Sequence, residues 1–224
     1  MNQEREIAVV LTSGGMDSCV TVAIAHQTYE VALLHVSYGQ RTWRRELKAF
    51  HQIADHYSAC ARLVVELEHF KKIGGSSLTD HSMPVPLEKE PPGVIPSTYV
   101  PFRNAHLVAI AVSWAEVIGA RKIFIGVSEV DAPGYPDTRK EFYRLYNELI
   151  KVGTSGRVPI ELVTPLIEMN KVEIVKKGLE LNAPFHLTWS CYIEEEKACG
   201  RCSSCRLRLE GFRGAGAVDP IPYK

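Results

Sequence analysis

The string Leu11-Thr12-Ser13-Gly14-Gly15-Met16-Asp17-Ser18, near the amino end, combines residue types that bind phosphate. It follows an apolar run over residues 7–11 and opens a stretch that is predicted to be helical. Glycines let the backbone approach an anion closely, and a helix start offers free N–H groups and the positive end of a dipole. Ser13 and Ser18 add hydroxyl donors. The string predicts a phosphate-binding loop, with a plain glycine turn between strand and helix as the alternative.

No lysine follows Gly15, so the loop is not a Walker A motif. The string instead resembles the SGGxDS mark of the PP-loop ATP pyrophosphatases. That resemblance implies that residues 11–18 hold the triphosphate of ATP and cradle a leaving pyrophosphate, while a substrate attacks the α-phosphate. The carboxylate of Asp17 cannot attract a negatively charged phosphate directly, so we expect it to hold Mg²⁺ or to fix the loop.

A second chemical cluster lies near the carboxyl end, where four cysteines follow the spacing C-x₇-C-x₂-C-x₂-C. Thiolates this close predict a closed, tetrahedral zinc site with a structural role, because four protein ligands leave no open coordination position. An iron–sulfur cluster and disulfides are the alternatives. The predicted ligands are Cys191, Cys199, Cys202 and Cys205.

The other two of the six cysteines are Cys19 and Cys60. Both are interpreted as small buried hydrophobic residues. For Cys19, in the first turn after the phosphate loop, a thiol activated by the helix start is the alternative.

Short, nearly continuous apolar runs, which are typical of strands buried on both faces, alternate with amphipathic stretches and predict the elements that position these residues. The pattern indicates an α/β fold with a doubly wound parallel sheet at residues 1–185, followed by a zinc-binding tail at 186–224. Ligands of such sheets lie beyond the carboxyl ends of the strands. Residues 74–97, rich in glycine and proline, are interpreted as a long surface loop, either a lid or a solvated connector. The predicted strands are 7–11, 31–36, 62–67, 122–127 and 160–163.

Composition narrows the class of ligand. The 224 residues carry a formal net charge of zero and are 46% hydrophobic. Enzymes that act on transfer RNA need basic surface, so the balance favours a free metabolite over a nucleic acid. Neither a signal peptide nor a membrane span is expected, and a cytoplasmic location is predicted.

Further motifs between the two clusters make the resemblance more specific. In this order and nearly over the whole chain, they resemble the 7-cyano-7-deazaguanine synthase family of queuosine biosynthesis. Two residues depart from that family. It usually has glycine at the position of Phe102 and often has cysteine at the position of Thr138. The motifs are Tyr38-Gly39-Gln40-Arg41, Tyr99-Val100-Pro101-Phe102-Arg103-Asn104, Gly126-Val127-Ser128-Glu129-Val130-Asp131, Gly134-Tyr135-Pro136-Asp137, Thr164-Pro165-Leu166, Trp189-Ser190-Cys191-Tyr192 and the CGxCxxCR knuckle.

The resemblance implies a PP-loop fold of the adenine nucleotide hydrolase type, a homodimer, and a reaction. The carboxylate of 7-carboxy-7-deazaguanine would be activated by ATP and attacked by ammonia, and the resulting amide would be activated again to leave a nitrile. Another PP-loop ligase or transfer RNA-modifying enzyme is the first alternative. A zinc knuckle that binds nucleic acid without catalysis is the second.

Three cations are candidates for contacts with anions. Arg103 begins a predicted helix, where its charge opposes the dipole, so we expect it to contact an anion; Asn104 is a candidate helix cap. Arg41 follows the second strand and is either a nucleotide contact or a structural arginine. Lys171 lies near a helix start, where it either contacts phosphate and stabilises the transition state or is simply solvated.

The remaining candidates would recognise the substrate. Glu129 and Asp131 follow the fourth strand, and their carboxylates either accept from the guanine-like ring or form loop salt bridges. Tyr135 is a candidate for stacking on the ring, and Arg139 for clamping its carboxylate. Asp137 is either a substrate contact or the cap of a predicted helix over residues 138–150.

Overall fold

The phosphate loop sits on a parallel sheet. A computed structural model describes residues 5–87, 94–131 and 134–224, and its strands have the spatial order β3-β2-β1-β4-β5. All five predicted strands are found, within two residues of the predicted ends. They are β1 (Ile7–Leu11), β2 (Glu30–Ser37), β3 (Ala61–Glu66), β4 (Lys122–Ile125) and β5 (Glu161–Val163).

Helices cover both faces of this sheet, as expected for doubly wound topology. On one face α1, α2 and α6 pack with Val10, Leu33 and Phe124; on the other, α4 and α5 pack with Val9, Leu34 and Ile123. The helices are α1 (Met16–His26), α2 (Trp43–His56), α3 (His69–Ile73), α4 (Arg103–Ile118), α5 (Lys140–Gly153), α6 (Lys171–Glu180) and α7 (Ser203–Gly214).

Two expectations about the elements are wrong in detail. Strand β3 is not buried on both faces: it lies at the edge of the sheet, so alternate side chains are exposed. The helix expected over residues 138–150 begins only at Lys140, after a short 3₁₀ helix at Pro136–Thr138. Helices α3 and α7 were not predicted, because α3 has five residues and α7 overlaps the cysteine motif.

The described part of the loop at 74–97 contains no helix or strand, but it is not merely solvated. Ser76 and Ser77 are fully buried, and Leu78 packs against Phe70 and Val100. The Ser77 N–H donates to the carbonyl of Ser97 over 2.8 Å, which ties the ends of the segment together. Residues 88–93 of this loop lie outside the described residues.

The tail packs against the sheet domain rather than standing apart. Helix α7 lies along α6 so closely that a Cβ on Gly211 would come 2.8 Å from Lys171 Cγ. The division at residue 185 stays a prediction. Within the described ranges, no helix has the length and apolar character needed to cross a membrane.

Candidate functional site

The phosphate loop leaves the carboxyl end of β1 and is held in one shape. The Thr12 N–H donates to Leu34 O on β2 at 2.8 Å, and His35 Nδ1 lies 3.0 Å from Thr12 O. Gly14 has a φ of +89°, and a Cβ there would lie 2.5 Å from Glu46 O. Only glycine satisfies both constraints, so the first glycine of the string is required by the packing of α2 behind the loop.

The serines of the string close the loop on itself. Ser13 Oγ accepts from the Gly15 N–H at 3.1 Å and donates to Ser18 Oγ, which in turn donates to Gly15 O at 2.9 Å. Leu11, Thr12 and Met16 are buried, so these residues support the loop from within. The N–H groups of the first turn of α1 have no partners inside the helix, which makes this edge suitable for an anion.

A cluster of charged side chains lies beside the loop, near the carboxyl ends of the neighbouring strands β1 and β4. Lys171 Nζ, on the first residue of α6, is 2.7 Å from Asp17 Oδ2 and 3.6 Å from Asp131 Oδ2. Its side chain is only 14% exposed, so the interpretation of Lys171 as a solvated lysine is wrong. Burial lowers the pKa of Lys171, but the two carboxylates outweigh it and raise that pKa overall. The structure thus fixes a charged ammonium next to the loop.

Two carboxylate oxygens of this cluster are buried without a hydrogen-bond partner: Asp17 Oδ1 and Asp131 Oδ2. Buried carboxylate oxygens are normally paired. Burial also raises the pKa of Asp131, although Lys171 opposes this effect. The arrangement suits a hard divalent cation such as Mg²⁺, whose ligands are oxygens.

Glu129 does not join this cluster. It is exposed, and its Oε2 accepts from the Lys140 N–H at the start of α5 over 3.0 Å. Of the two loop acids, Glu129 and Asp131, only Asp131 forms the salt bridge expected as the alternative, because the chain turns between the two residues.

Arg103 brings a partly buried positive charge to the same carboxyl edge of the sheet. Its Nη1 donates to the Tyr38 hydroxyl at 2.9 Å, its guanidinium lies 5.0 Å from the Tyr38 ring, and its other nitrogens reach Asn104 Oδ1 at 3.3 and 3.4 Å. Burial lowers the pKa of Arg103, but Tyr38 and Asp137 outweigh it and raise that pKa overall. In the described ranges, no carboxylate oxygen lies within 4.0 Å of this guanidinium.

The caps at the start of α4 and α5 differ from those expected. Asp137 Oδ2 accepts from the Asn104 N–H at 2.9 Å, and Asn104 Nδ2 donates to Asp137 O at 3.0 Å. Asp137 therefore caps α4 rather than the following helix, and Asn104 is not a cap of its own helix. The N-cap position of α4 is Phe102, with a φ of +56° and a 58% exposed side chain. Its ring cannot accept a hydrogen bond, which leaves the cap to Asp137.

The remaining predicted contacts are spread around this edge. Tyr135 hydrogen-bonds Thr98 Oγ1 at 2.5 Å, and its ring lies 5.9 Å from that of Tyr99. Arg139 is exposed at the start of α5. Arg41 donates to three carbonyls of the 74–87 segment, those of Ser77, Asp80 and Met83. These three hydrogen bonds agree with the structural alternative for Arg41. Its contact with a nucleotide stays a prediction.

The four cysteines of the knuckle converge. Their Sγ atoms all lie within 4.8 Å of one another, and Cys199 Sγ is 3.9 Å from Cys205 Sγ. Tetrahedral zinc with bonds of about 2.3 Å places its sulfurs about 3.8 Å apart, so the cluster fits such an ion. Backbone N–H groups of residues 193, 194 and 199 point at Cys191 Sγ at 3.3–3.4 Å. None of the six cysteines forms a disulfide, so that alternative is wrong.

The two other cysteines differ from each other. Cys19 is buried, and burial raises the pKa of its thiol to about 12, which contradicts an activated nucleophile. Cys60 is exposed, so its interpretation as a buried hydrophobic residue is wrong. It lies just before the edge strand β3, where one side of the sheet meets solvent.

Sequence reasoning missed Glu46 and the pair Arg208–Asp219. Burial raises the pKa of Glu46 to about 7, and its oxygens accept from Gln40 and Thr42 at 3.0 Å. Arg208 and Asp219 form a two-pronged ion pair whose side chains are 1% and 3% exposed. No local pattern marks these residues, because long-range packing buries them.

A glycine–serine phosphate loop at the carboxyl edge of a parallel 3-2-1-4-5 sheet, flanked by paired aspartates and a lysine, defines a PP-loop nucleotide-binding protein. The family model described as queuosine biosynthesis protein QueC matches residues 7–216, and the chain belongs to this family.

Curated relatives agree over nearly full length. The chain is 58% identical over 218 residues to a 7-cyano-7-deazaguanine synthase of Chlorobium phaeobacteroides, covering 97% of this chain and 96% of that protein. It is 57% identical, with the same coverage, to the protein of that name from Chloroherpeton thalassium. Among solved structures, NMN synthetase from Francisella tularensis aligns with 82% of this chain and 64% of its own, at 11% identity and a TM-score of 0.46. That last similarity is too distant to bear on function.

Proposed function

We infer that this chain is a carbon–nitrogen ligase that converts 7-carboxy-7-deazaguanine, ammonia and ATP into 7-cyano-7-deazaguanine. The observation that carries this proposal is the family match over residues 7–216, together with relatives of that name that align along 97% of the chain. The phosphate loop and the ion cluster beside it supply matching chemistry.

The proposed reaction solves one physical problem twice. Carboxylate and amide oxygens leave poorly, and bonding either to the phosphorus of AMP makes it a good leaving group. In the first half, the carboxylate attacks the α-phosphate and pyrophosphate departs; ammonia then displaces AMP to give the amide and a proton. In the second half, the amide oxygen attacks the α-phosphate of a second ATP and pyrophosphate departs; loss of AMP and of both amide protons then leaves the nitrile.

The loop and Lys171 act on the departing pyrophosphate in this proposal. The N–H groups at the start of α1 and the hydroxyls of Ser13 and Ser18 bind its oxygens, and the ammonium of Lys171 stabilises the developing charge. Asp17 and Asp131 would hold Mg²⁺, which supplies neutralisation of phosphate charge when bound. The support is that Asp17 Oδ1 and Asp131 Oδ2 are both buried without a hydrogen-bond partner.

Arg103 is proposed to contact an anion of the bound reactants. A partly buried guanidinium without a carboxylate close by carries a desolvation cost, and an anionic ligand offsets that cost. Tyr135 and Arg139 keep their proposed roles toward the ring and the substrate carboxylate. The carboxylates of Glu129 and Asp137 already accept from backbone N–H groups, so we assign them to positioning.

We propose zinc as the metal of the cysteine cluster, with a structural role, because the four thiols leave no open position. Ammonia is proposed to enter as NH₃ into a site that excludes bulk water. A homodimer in the cytoplasm completes the proposal, on the strength of the family resemblance alone.

The direct test incubates the purified protein with α-³²P-ATP and 7-carboxy-7-deazaguanine, with and without ¹⁵N-ammonium chloride. We expect AMP release that depends on the acid, and a product whose mass carries one ¹⁵N atom in a nitrile. An amide as the final product would indicate a simpler ligase. Absence of acid-dependent AMP release would remove the assignment.

A further inference from the structure

The segment that enters the cysteine cluster also touches the phosphate loop. The Trp189 N–H donates to Gly14 O at 2.8 Å, and a Cβ on Gly15 would lie 3.6 Å from Trp189 O. This bond engages the carbonyl of Gly14 in the middle of the loop. A carbonyl oxygen repels phosphate, so a partner that fixes its direction helps to keep the anion side of the loop free for N–H groups.

The same segment is anchored a second time behind the loop. The Thr42 hydroxyl lies 3.1 Å from Cys191 O and 3.0 Å from Glu46 Oε1, so its single proton is shared between them. Glu46 is also the residue whose backbone carbonyl forces position 14 to be glycine. The first metal ligand is thus tied to the helix start that backs the phosphate loop.

The conformation of this segment depends on the cysteine sulfur. The chain folds around Cys191 Sγ, which accepts from the N–H groups of residues 193, 194 and 199. The Trp189 indole is 1% exposed, donates to Glu194 O at 2.9 Å and lies 4.6 Å below the Arg45 guanidinium. Hydrogen bonds to a thiolate are stronger than those to a neutral thiol, and a bound metal keeps the sulfur in its thiolate form.

We propose that the metal-loaded cysteine cluster positions the phosphate loop, through the Trp189 N–H and the Thr42 hydroxyl. Trp189 and Thr42 are positioning residues, since neither is needed to touch the reactants. Binding of metal and binding of ATP then strengthen each other, because both require the same arrangement of residues 189–191. The proposal rests on the proposed function in taking ATP as the ligand of the loop.

The test measures binding rather than turnover. Zinc affinity of the full chain is measured by equilibrium competition with a chromogenic chelator, with and without a saturating non-hydrolysable ATP analogue. Coupling is reciprocal, so we expect the analogue to tighten zinc binding by about fivefold or more. Equal zinc affinity in both conditions overturns the proposal.

A variant separates positioning from folding. Thr42→Val loses the bond to Cys191 O, and we expect it to bind the ATP analogue at least about fivefold more weakly while it still holds one zinc per chain. The matched control is Thr154→Val, which removes a hydroxyl bonded to Ile150 O at the end of α5, and it is expected to bind like the wild type. If Thr42→Val does not fold, the zinc competition on the wild type still decides.

The two proposals fail in different ways. A protein that does not bind the ATP analogue at all contradicts the proposed function. A protein that binds it with unchanged affinity in Thr42→Val, and without effect on zinc, contradicts only the coupling.

Discussion

The phosphate-loop edge and the cysteine tail contain buried charges of similar kind, yet they pair them differently. In the tail, Arg208 meets Asp219 through two hydrogen bonds of 2.7 and 2.9 Å, and the remaining guanidinium contacts are Thr188, Ser190 and Phe185. At the loop edge, Lys171 is shared between two carboxylates: Asp17 Oδ1 is buried without a hydrogen-bond partner, and Asp131 Oδ2 is buried with Lys171 Nζ only at 3.6 Å, beyond hydrogen-bond distance.

This difference indicates which of the two regions binds ligands. A fully paired buried charge contributes to one fixed structure, whereas an unpaired buried oxygen has a cost that a ligand removes. We therefore assign the Arg208–Asp219 pair of the tail to stability and the loop edge to binding. Substitutions in the two regions test this division.

The largest expected effect is on stability, in the tail. Arg208→Met leaves Asp219 buried without its partner, and removal of one member of a buried pair costs about 3–5 kcal/mol. We expect the free energy of unfolding in urea to fall by that amount. A specific loss of turnover without loss of stability would place Arg208 in the active site.

Asp17→Asn tests the loop edge, where we expect a loss of activity rather than a loss of stability. It keeps the shape of the side chain but removes the charge that pairs with Lys171 and the proposed Mg²⁺ ligand. We expect kcat/KM for AMP formation to fall by about 10²–10³, as for the loss of a group that stabilises a transition state. The free energy of unfolding is expected to change far less.

The control for that variant is Asp55→Asn, whose carboxylate pairs with Arg62 at the surface, 70% exposed. It is expected to leave both turnover and stability unchanged. Should Asp17→Asn instead unfold the protein and spare its rate, the loop edge is structural in the same sense as the tail.

The pH dependence of the free energy of unfolding tests one buried group at the loop edge. His35 is fully buried beneath Thr12, and burial lowers its pKa from 6.5 to about 4. Thr12 O can only accept, so Nδ1 donates to it; this bond by itself raises the pKa of His35, but burial outweighs it. The unfolded chain binds the proton more tightly, so the stability contributed by this group is present above pH 6.5 and is lost as the pH falls towards 4.

That pKa difference corresponds to about 3 kcal/mol in the free energy of unfolding. Urea unfolding at several pH values between 7 and 4 measures it. We expect His35→Asn to flatten this part of the profile, and His186→Asn, at an exposed position, to leave it unchanged. An equally steep profile in His35→Asn would assign the acid sensitivity to other groups.

The smallest effect is expected at Cys60, which belongs to neither region. Cys60→Ser replaces an exposed thiol whose one hydrogen bond, to Val31 O, spans 3.4 Å. Unfolding free energy should stay within about 0.5 kcal/mol, and zinc content and turnover should match the wild type. A loss of zinc would show that the knuckle is not limited to the four predicted ligands.

Local patterns in the sequence determined a large part of this protein. Apolar runs predicted all five strands, because strands buried in a parallel sheet need continuous β-branched and aliphatic residues. The glycine–serine string and the cysteine spacing each lie within fifteen residues of chain, so their chemistry could be interpreted without a fold. The parallel direction of the strands followed from their alternation with helices, whereas their spatial order was not predicted.

Only the tertiary structure decided how charges pair across the chain. Lys171 and Asp17 are 154 residues apart, and nothing local to either shows that they meet at 2.7 Å. Asp137 caps a helix that begins 34 residues before it, and Trp189 fixes Gly14 from the far end of the sequence. Short-range propensity acts over one or two turns, whereas the pairing of buried charges depends on which elements the packing of the core brings together.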